Sequence, residues 1–209
     1  MNVENIEINT QSSIKMILDK ITYFDPFQIK NDLHDADIIF ITHSHYDHFD
    51  IASINKIIKE NTIIVAPKTM EEEIKKYNFK DYKLLNPFDE IKIDNINIKA
   101  IPAYNINKPF HSKLNNWLGY LINFKNITYY IAGDTDKIEE SEKIKCDVAL
   151  IPIGGYFTMD VNEAHDLIKI IKPKVVIPTH YGSIIGDKED GKRLKNSLSD
   201  TMIEVIEKL

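Results

Sequence analysis

The stretch His43-Ser44-His45-Tyr46-Asp47-His48 decides how this chain is organised. It places three imidazoles and one carboxylate within six residues. It directly follows Asp37 to Thr42, a short apolar run rich in β-branched residues that predicts a buried strand. A rigid strand that ends in a His/Asp cluster is a suitable base for metal ligands. We therefore interpret the stretch as a metal-binding motif, the alternative being a solvated turn that is rich in histidine.

Two further predicted strands also end in residues that can bind metals. Asp134 follows the strand Tyr129 to Ala132, and His180 follows the strand Val175 to Pro178. If these strands are neighbours whose ends lie at one edge, Asp134 and His180 converge on the histidine motif. The sequence therefore predicts a single site that is assembled from distant parts of the chain.

The spacing inside the motif favours two metals over one. His43 and His45 are two residues apart, so they point to the same side of an extended segment. Asp47 and His48 come after the backbone has begun to turn, so they approach from another direction. Imidazole nitrogens together with carboxylate oxygens suit zinc, manganese or iron(II). Because Cys146 is the only cysteine, a cysteine-rich structural zinc site is excluded.

The remaining pattern alternates strands with helices and predicts two stacked sheets with helices outside. The predicted strands are 6–8, 14–18, 21–24, 38–42, 62–66, 82–85, 90–93, 96–101, 117–124, 127–132, 147–153, 174–178 and 202–206. The predicted helices run from Asp50 or Ser53 to about Glu60 and over 68–77, 138–145, 161–171 (capped by Asp160) and 188–197. The loop from Pro102 to Asn116 is long enough to indicate a function, and we expect it to be a substrate lid.

Length, composition and net charge restrict the kind of protein that this chain can be. The chain has 209 residues, 43% hydrophobic and 28% charged, which predicts one globular domain over residues 1–209. No apolar run is long enough to span a bilayer, and Met1 to Thr10 does not look like a secretory signal. The net charge of −6 disfavours nucleic acid as a partner. A single cysteine agrees with a reducing compartment, so we predict a cytoplasmic location.

In these motifs the chain resembles hydrolases of the metallo-β-lactamase fold. His-x-His-x-Asp-His at 43–48 resembles the first metal motif of that superfamily, Gly133-Asp134-Thr135 its bridging-aspartate motif, and Pro178 to Gly182 its last histidine motif. Within the superfamily the chain is most similar to small stand-alone hydrolases related to ascorbate-6-phosphate lactonase and N-acyl-phosphatidylethanolamine phospholipase D. The resemblance implies an α/β (α+β) fold, namely a four-layer αβ/βα sandwich.

The resemblance also implies how the ligands divide between two metals. His43, His45 and a third histidine would hold the first metal, and Asp134 would bridge the two. Asp47, His48 and His180 would hold the second. His111 is the only histidine between the first and the bridging motifs, so it is predicted as the third ligand, the alternative being a surface loop histidine. His34 and His165 are interpreted as solvated or packing residues.

The function implied is that of a dinuclear metal-dependent hydrolase. It would bind two divalent ions, with Zn²⁺ favoured over Mn²⁺ or Fe²⁺, and use a metal-bridging hydroxide to cleave a small ester, lactone or phosphodiester. Asp47 and His48 would be catalytic, with Asp47 orienting the hydroxide and shuttling its proton. Tyr104, Asn105 and Tyr156 are candidates for contact with the small-molecule substrate.

Three questions stay open at this point. The first is whether the chain is instead a metal-dependent nuclease of the tRNA-processing kind or a non-catalytic metal-binding module. The second is whether Asp25, in Asp25-Pro26-Phe27, orients a metal-bound histidine or only forms a turn. The third is whether the chain forms a homo-oligomer.

Overall fold

The computed structural model describes residues 3–208, so Met1, Asn2 and Leu209 of the predicted domain lie outside the described residues. Within this range the strands are β1 (Ile6–Thr10), β2 (Ser13–Ile17), β3 (Ile21–Phe24), β4 (Ala36–Phe40), β5 (Ile58–Pro67), β6 (Asp81–Leu85), β7 (Glu90–Ile93), β8 (Ile96–Pro102), β9 (Leu118–Phe124), β10 (Ile127–Ile131), β11 (Val148–Pro152), β12 (Val175–Thr179) and β13 (Glu204–Val205). The helices are α1 (Ile51–Ile57), α2 (Glu71–Lys76), α3 (Glu139–Glu142), α4 (Val161–Ile171) and α5 (Asp190–Ser197).

The strands form two sheets. The first has the order β1-β2-β3-β4-β5-β6 and the second the order β13-β12-β11-β10-β9-β8-β7. The pairs between consecutive strands from β3 to β6 are parallel, as are those from β10 to β13. The pairs between consecutive strands from β1 to β3 and from β7 to β10 are antiparallel. The carboxyl ends of β10, β11 and β12 therefore lie at one edge, which is where Asp134 and His180 leave the sheet.

Three apolar cores separate four layers. The central core holds residues of both sheets. The Phe24 and Phe40 rings of the first sheet are stacked with their centroids 4.5 Å apart, and the centroid of the Tyr120 ring of the second sheet lies 5.1 Å from that of Phe40. A second core packs α4 and α5 on the outer face of the second sheet, and a third packs α1 and α2 on the outer face of the first. This arrangement confirms the predicted four-layer αβ/βα sandwich.

The sequence dictates these elements locally as well. In α4, Asp160 accepts hydrogen bonds from the backbone of Asn162 and Glu163, and the Glu163 side chain accepts one from the Asp160 backbone. This capping box satisfies the free N–H groups at the helix start. The buried residues of α4 recur at helical spacing and face the second sheet: Ala164, Leu167, Ile168 and Ile171.

Some predicted boundaries are wrong. The helix predicted to reach Glu60 ends at Ile57, because Ile58 already pairs with Ala36 and the Thr62 hydroxyl donates to the Ala36 carbonyl. The helix predicted over 138–145 is a single turn, since Ile138 and Ile144 are both buried and hold the chain close to the core at either end. No helix of residues 3–208 is long and apolar enough to cross a membrane.

Candidate metal centre

All seven predicted ligands lie together beyond the ends of β4, β10 and β12. These residues form three overlapping groups, and within each group the ligand atoms all lie within 4.8 Å of one another. The groups are His43, His45 and His111; His43, His48 and Asp134; and Asp47, His48 and His180. The two sheets are joined here, because the Leu118 amide donates to the Thr42 carbonyl at 3.1 Å.

The first group draws on the motif and on the long loop. His43 Nε2 lies 3.0 Å from His45 Nδ1, and the two rings are nearly perpendicular. The His111 ring lies 5.0 Å from the His43 ring and 4.8 Å from the His45 ring, measured between centroids. His111 is thus a buried neighbour of the motif rather than a surface loop residue.

The second group lies on the other side of Asp134. Asp47 Oδ2 lies 3.5 Å from His180 Nε2 and 3.6 Å from His48 Nε2. The Asp134 carboxylate stands between the groups, with Oδ2 at 3.3 Å from His111 Nε2 and 3.2 Å from His180 Nε2. One carboxylate therefore touches both halves of the cluster.

Several buried polar atoms at the centre of this cluster make no hydrogen bond with the described residues. They are His48 Nε2, His111 Nε2, Asp134 Oδ1 and both ring nitrogens of His180. Buried polar groups are normally paired because an unpaired one loses its hydration without compensation. Each neutral imidazole has one nitrogen with a free lone pair, so His48, His111 and His180 can each offer one nitrogen beside the Asp134 carboxylate. Such a set of donors is the chemistry of a cation site.

Burial and neighbouring charges shift the pKa values of the histidines in this cluster. Burial, reinforced by His48, holds the pKa of His43 well below its usual range, so the ring is neutral and free to coordinate. Burial also lowers the pKa of His180, but Asp134 opposes it and raises the pKa to about 9. A proton and a metal ion compete for the same nitrogen lone pair. The carboxylates that raise the pKa of His180 therefore also favour a cation here.

Asp25 orients His48. Asp25 Oδ2 lies 2.8 Å from His48 Nδ1, and the carboxylate also accepts hydrogen bonds from the amide and hydroxyl of Thr42, each at 2.7 Å. A carboxylate on Nδ1 fixes the ring and directs the Nε2 lone pair outward. Of the two interpretations of Asp25, the structure favours the orienting residue. The pair is buried, and the sequence alone could not show that residues 25 and 48 meet.

His111 is held by its own loop. The backbone N–H of Asn105 donates to the His111 carbonyl at 2.8 Å, and the side-chain Nδ2 of Asn105 lies 3.2 Å from His111 Nδ1. The same loop is tied down by Lys108, which binds Asp136, the Thr158 carbonyl and Glu163. Asn105, predicted as a substrate contact, is therefore placed where it supports His111.

The backbone is strained at three of the residues that build the cluster. Asp25, His111 and His180 have positive φ angles of 45°, 55° and 56°. This left-handed region is unfavourable for most L-residues, although Asp and His tolerate it better than most. Such strain is often stored at functional sites because the surrounding fold enforces it.

A cavity of about 280 Å³ opens directly onto the cluster. Five of the candidate ligands line it together with four other side chains: His45, Asp47, His111, Asp134 and His180, with Tyr46, Phe110, Phe157 and Ile184. The predicted contacts Tyr104 and Tyr156 do not line it. The Tyr104 hydroxyl donates to Glu140, whereas Tyr156 is an exposed residue beside Phe157.

The comparisons with known proteins agree with this geometry. The Beta-lactamase superfamily domain matches residues 10–180 of the chain. The chain belongs to the beta-lactamase superfamily. A UPF0173 metal-dependent hydrolase from Pyrococcus horikoshii is 32% identical over 197 residues, covering 86% of this chain and 86% of that protein. A second UPF0173 metal-dependent hydrolase, from Thermoplasma acidophilum, is 32% identical over 206 residues and covers 92% and 91%.

A solved structure agrees as well. The crystal structure of a protein described as a metal-dependent hydrolase, from Parabacteroides distasonis, has a TM-score of 0.84 and 30% identity. That similarity covers 98% of this chain and 92% of that chain. Within the beta-lactamase superfamily this chain is thus a metal-dependent hydrolase, which confirms the predicted family and enzyme class. The predicted relationship to the lactonase and phospholipase D branches stays a prediction.

Sequence reasoning missed several residues around the centre of this superfamily member. The centroid of the Trp117 ring lies 4.7 Å from that of the His43 ring and 4.9 Å from that of the His45 ring. Phe110 and Phe157 line the cavity, although no motif or periodicity distinguishes them. His34 is exposed, as expected, and Cys146 is half-buried at the edge of the outer core.

Proposed function

We propose that this superfamily member is a dinuclear hydrolase of small-molecule substrates. Two divalent cations, with Zn²⁺ favoured and Mn²⁺ or Fe²⁺ as alternatives, would be bound by the two ligand groups. His43, His45 and His111 would hold one cation, and Asp47, His48 and His180 the other. Asp134, whose carboxylate touches both groups, would be shared. The observation that carries this proposal is the set of unpaired buried nitrogen and oxygen atoms on His48, His111, Asp134 and His180.

The donor set supports a catalytic centre more than a structural one. Structural zinc sites are closed and commonly use several thiolates, whereas catalytic sites leave one position open. Here the donors are nitrogen and oxygen atoms, and five of the seven ligands also line the cavity. A small molecule in the cavity would therefore lie against the ligand cluster itself.

The residues of the chain would then divide the work of hydrolysis. When bound, the two cations supply Lewis acidity and lower the pKa of a water by several units, toward about 7. Asp47 lines the cavity, and the carboxylate oxygen that does not bind the cation would accept a proton and return it to the leaving group. Asp25 would keep His48 oriented throughout, and Asn105 would do the same for His111. Trp117, packed on His43 and His45, would exclude water from their far side.

Neither alternative function has a supporting observation of its own. A nuclease would need a basic face, and the net charge of −6 does not favour one. A non-catalytic module would have no need for ligands that line an open cavity. We also infer that residues 1–209 act as one hydrolase domain and, from the single cysteine, that the protein works in the cytoplasm.

Metal removal tests the proposed function directly. Protein reconstituted with Zn²⁺ or Mn²⁺ is expected to hydrolyse members of a panel of p-nitrophenyl esters, lactones and bis(p-nitrophenyl) phosphate. Chelated protein is expected to lose this activity by at least about a hundredfold and to regain it on metal addition, because the cations supply most of the catalytic electrostatics. Equal rates with and without metal would contradict the proposal. Metal-dependent cleavage of structured RNA alone would favour the nuclease instead.

A further inference from the structure

The cavity wall that is not made of candidate ligands is apolar. It is formed by Tyr46 from the histidine motif, Phe110 from the long loop, Phe157 from the loop after β11, and Ile184 from the loop after β12. Four separate segments therefore contribute an apolar side chain to the same opening. A wall assembled from so many places is a feature of the folded site rather than of one local sequence.

The aromatic residues of this wall support one another. Phe110 and Phe157 are in edge contact, with ring centroids 4.7 Å apart and an interplanar angle of 71°. Tyr156 packs on Phe157 from outside at 4.7 Å, and Tyr46 packs on Phe27 at 5.9 Å. Such edge-to-face contacts fix ring positions. Phe110 and Phe157 are thus supported by each other and by Tyr156, and Tyr46 is supported by Phe27.

Part of this surface is left in water. Tyr46 is 67% exposed and Ile184 is 42% exposed, while Phe110 and Phe157 are half-buried. Removing apolar surface from water is favourable, so an exposed apolar wall favours an apolar occupant. The wall lies in the same cavity as Asp47, His111 and Asp134. An apolar group that binds to the wall would therefore belong to a substrate bound at the centre.

No lysine or arginine of the described residues lines this cavity. The two lysines of the long loop have partners of their own. Lys108 binds Asp136 and Glu163, and Lys113 binds Glu140 and the Tyr104 hydroxyl. A phosphate or carboxylate on the distal part of a substrate would lose hydration here without gaining an ion pair.

We propose that Phe110 and Phe157 make the centre selective for small esters or lactones that carry an apolar, uncharged group beside the reacting bond, and against substrates with an anionic group in that place. This inference rests on the proposed function and deepens it, because it separates substrates with an apolar, uncharged group from substrates such as sugar phosphates, which carry a charge away from the bond that is cleaved. The cavity of about 280 Å³ limits the occupant to a small molecule, since ligand pockets commonly span about 300–1,000 Å³.

Three hydroxamic acids with the same metal-binding head test this inference without requiring turnover. Acetohydroxamic acid has no apolar tail, octanohydroxamic acid has an alkyl tail, and suberic acid monohydroxamate has a similar tail that ends in a carboxylate. Calorimetric titration of the metal-loaded protein is expected to give octanohydroxamic acid at least about tenfold the affinity of the other two, because only its tail fits an apolar wall. Equal affinities, or tightest binding of the carboxylate-tailed probe, would overturn the inference.

Variants assign the preference to the two phenylalanines. Phe110→Ala combined with Phe157→Ala is expected to reduce the preference for the alkyl tail to less than about threefold, while acetohydroxamic acid binds as in wild type. Phe110→Leu, which keeps apolar bulk, should retain most of the preference. Phe88→Ala removes an exposed phenylalanine that does not line the cavity and should change nothing. A double variant with an undiminished preference would overturn the assignment.

Metal content, measured on the same samples, distinguishes a failure of the proposed function from a failure of the selectivity inference. Protein that takes up no metal and binds none of the three probes contradicts the proposed function, and the selectivity inference falls with it. Protein that takes up metal and binds all three probes equally contradicts only the selectivity inference.

Discussion

Asp134→Asn is expected to reduce the metal content and to lower hydrolysis by at least about a thousandfold, because the two-metal centre stabilises the attacking and leaving oxygens together. The Asp134 carboxylate lies within 3.3 Å of nitrogens on His48, His111 and His180. Asparagine keeps the size of the side chain but removes the charge and one acceptor oxygen. The loss should therefore affect both ligand groups at once. The measurements are metal stoichiometry by mass spectrometry and the rate on the best ester of the panel.

A matched control is available on the surface of the same protein. Asp166→Asn makes the same chemical change at an exposed position of α4 and should leave metal content and rate unaltered. Circular dichroism should show that both variants are folded. Wild-type metal content in Asp134→Asn would show that this carboxylate is not shared between the two groups.

Gly154→Ala is expected to damage the centre although residue 154 is not a ligand. A Cβ atom at Gly154 would lie 2.2 Å from the His180 carbonyl oxygen and 2.8 Å from Ile185 Cγ2. The first contact is with backbone, which cannot rotate away as a side chain can. His180 would therefore have to move, and it is already held in the left-handed region. We expect a loss of about 2–3 kcal/mol of unfolding free energy, as for other overpacked sites, and weaker metal binding.

The neighbouring glycine supplies the control for this effect. Gly155 has a φ of 69°, and a Cβ there would meet only Asp160 at an ordinary 3.5 Å. Gly155→Asn introduces a residue that tolerates positive φ, so it should cost much less and leave metal affinity intact. Chemical denaturation and metal titration compare the two. Equal behaviour of Gly154→Ala and Gly155→Asn would argue against the clash with His180.

The histidine motif at 43–48 helped to predict the fold because an apolar strand directly precedes it. The run before His43 is apolar and β-branched, and the same is true before Asp134 and His180, so strands and polar ends could be predicted from sequence together. The strands predicted over 90–93 and 96–101 agree with β7 and β8, and Asp160 predicted the start of α4. Element ends were less certain where long-range pairing overrides local preference, as at Ile58, which local pattern assigns to a helix and sheet pairing assigns to β5.

The parts of the site that lie on loops could not be predicted in the same way. Asp25 and His48 meet because β3 and β4 are adjacent, which no local signal encodes. Tyr104 was a candidate for substrate contact, but its partner Glu140 lies 36 residues away in the chain. Phe110 and Phe157 belong to loops without periodicity, so their meeting depends on backbone conformation alone. His111 was identified only because no other histidine was available between the motifs.

The most direct test of the central claim, two cations in one cluster, is a crystal structure of the Zn²⁺-loaded protein with anomalous diffraction data on either side of the zinc absorption edge. We predict two anomalous peaks per chain, about 3.5–4 Å apart as in other two-metal hydrolases. One should lie among His43, His45 and His111, the other among Asp47, His48 and His180, with Asp134 between them. A single peak, or no peak, in fully loaded crystals would contradict the dinuclear centre.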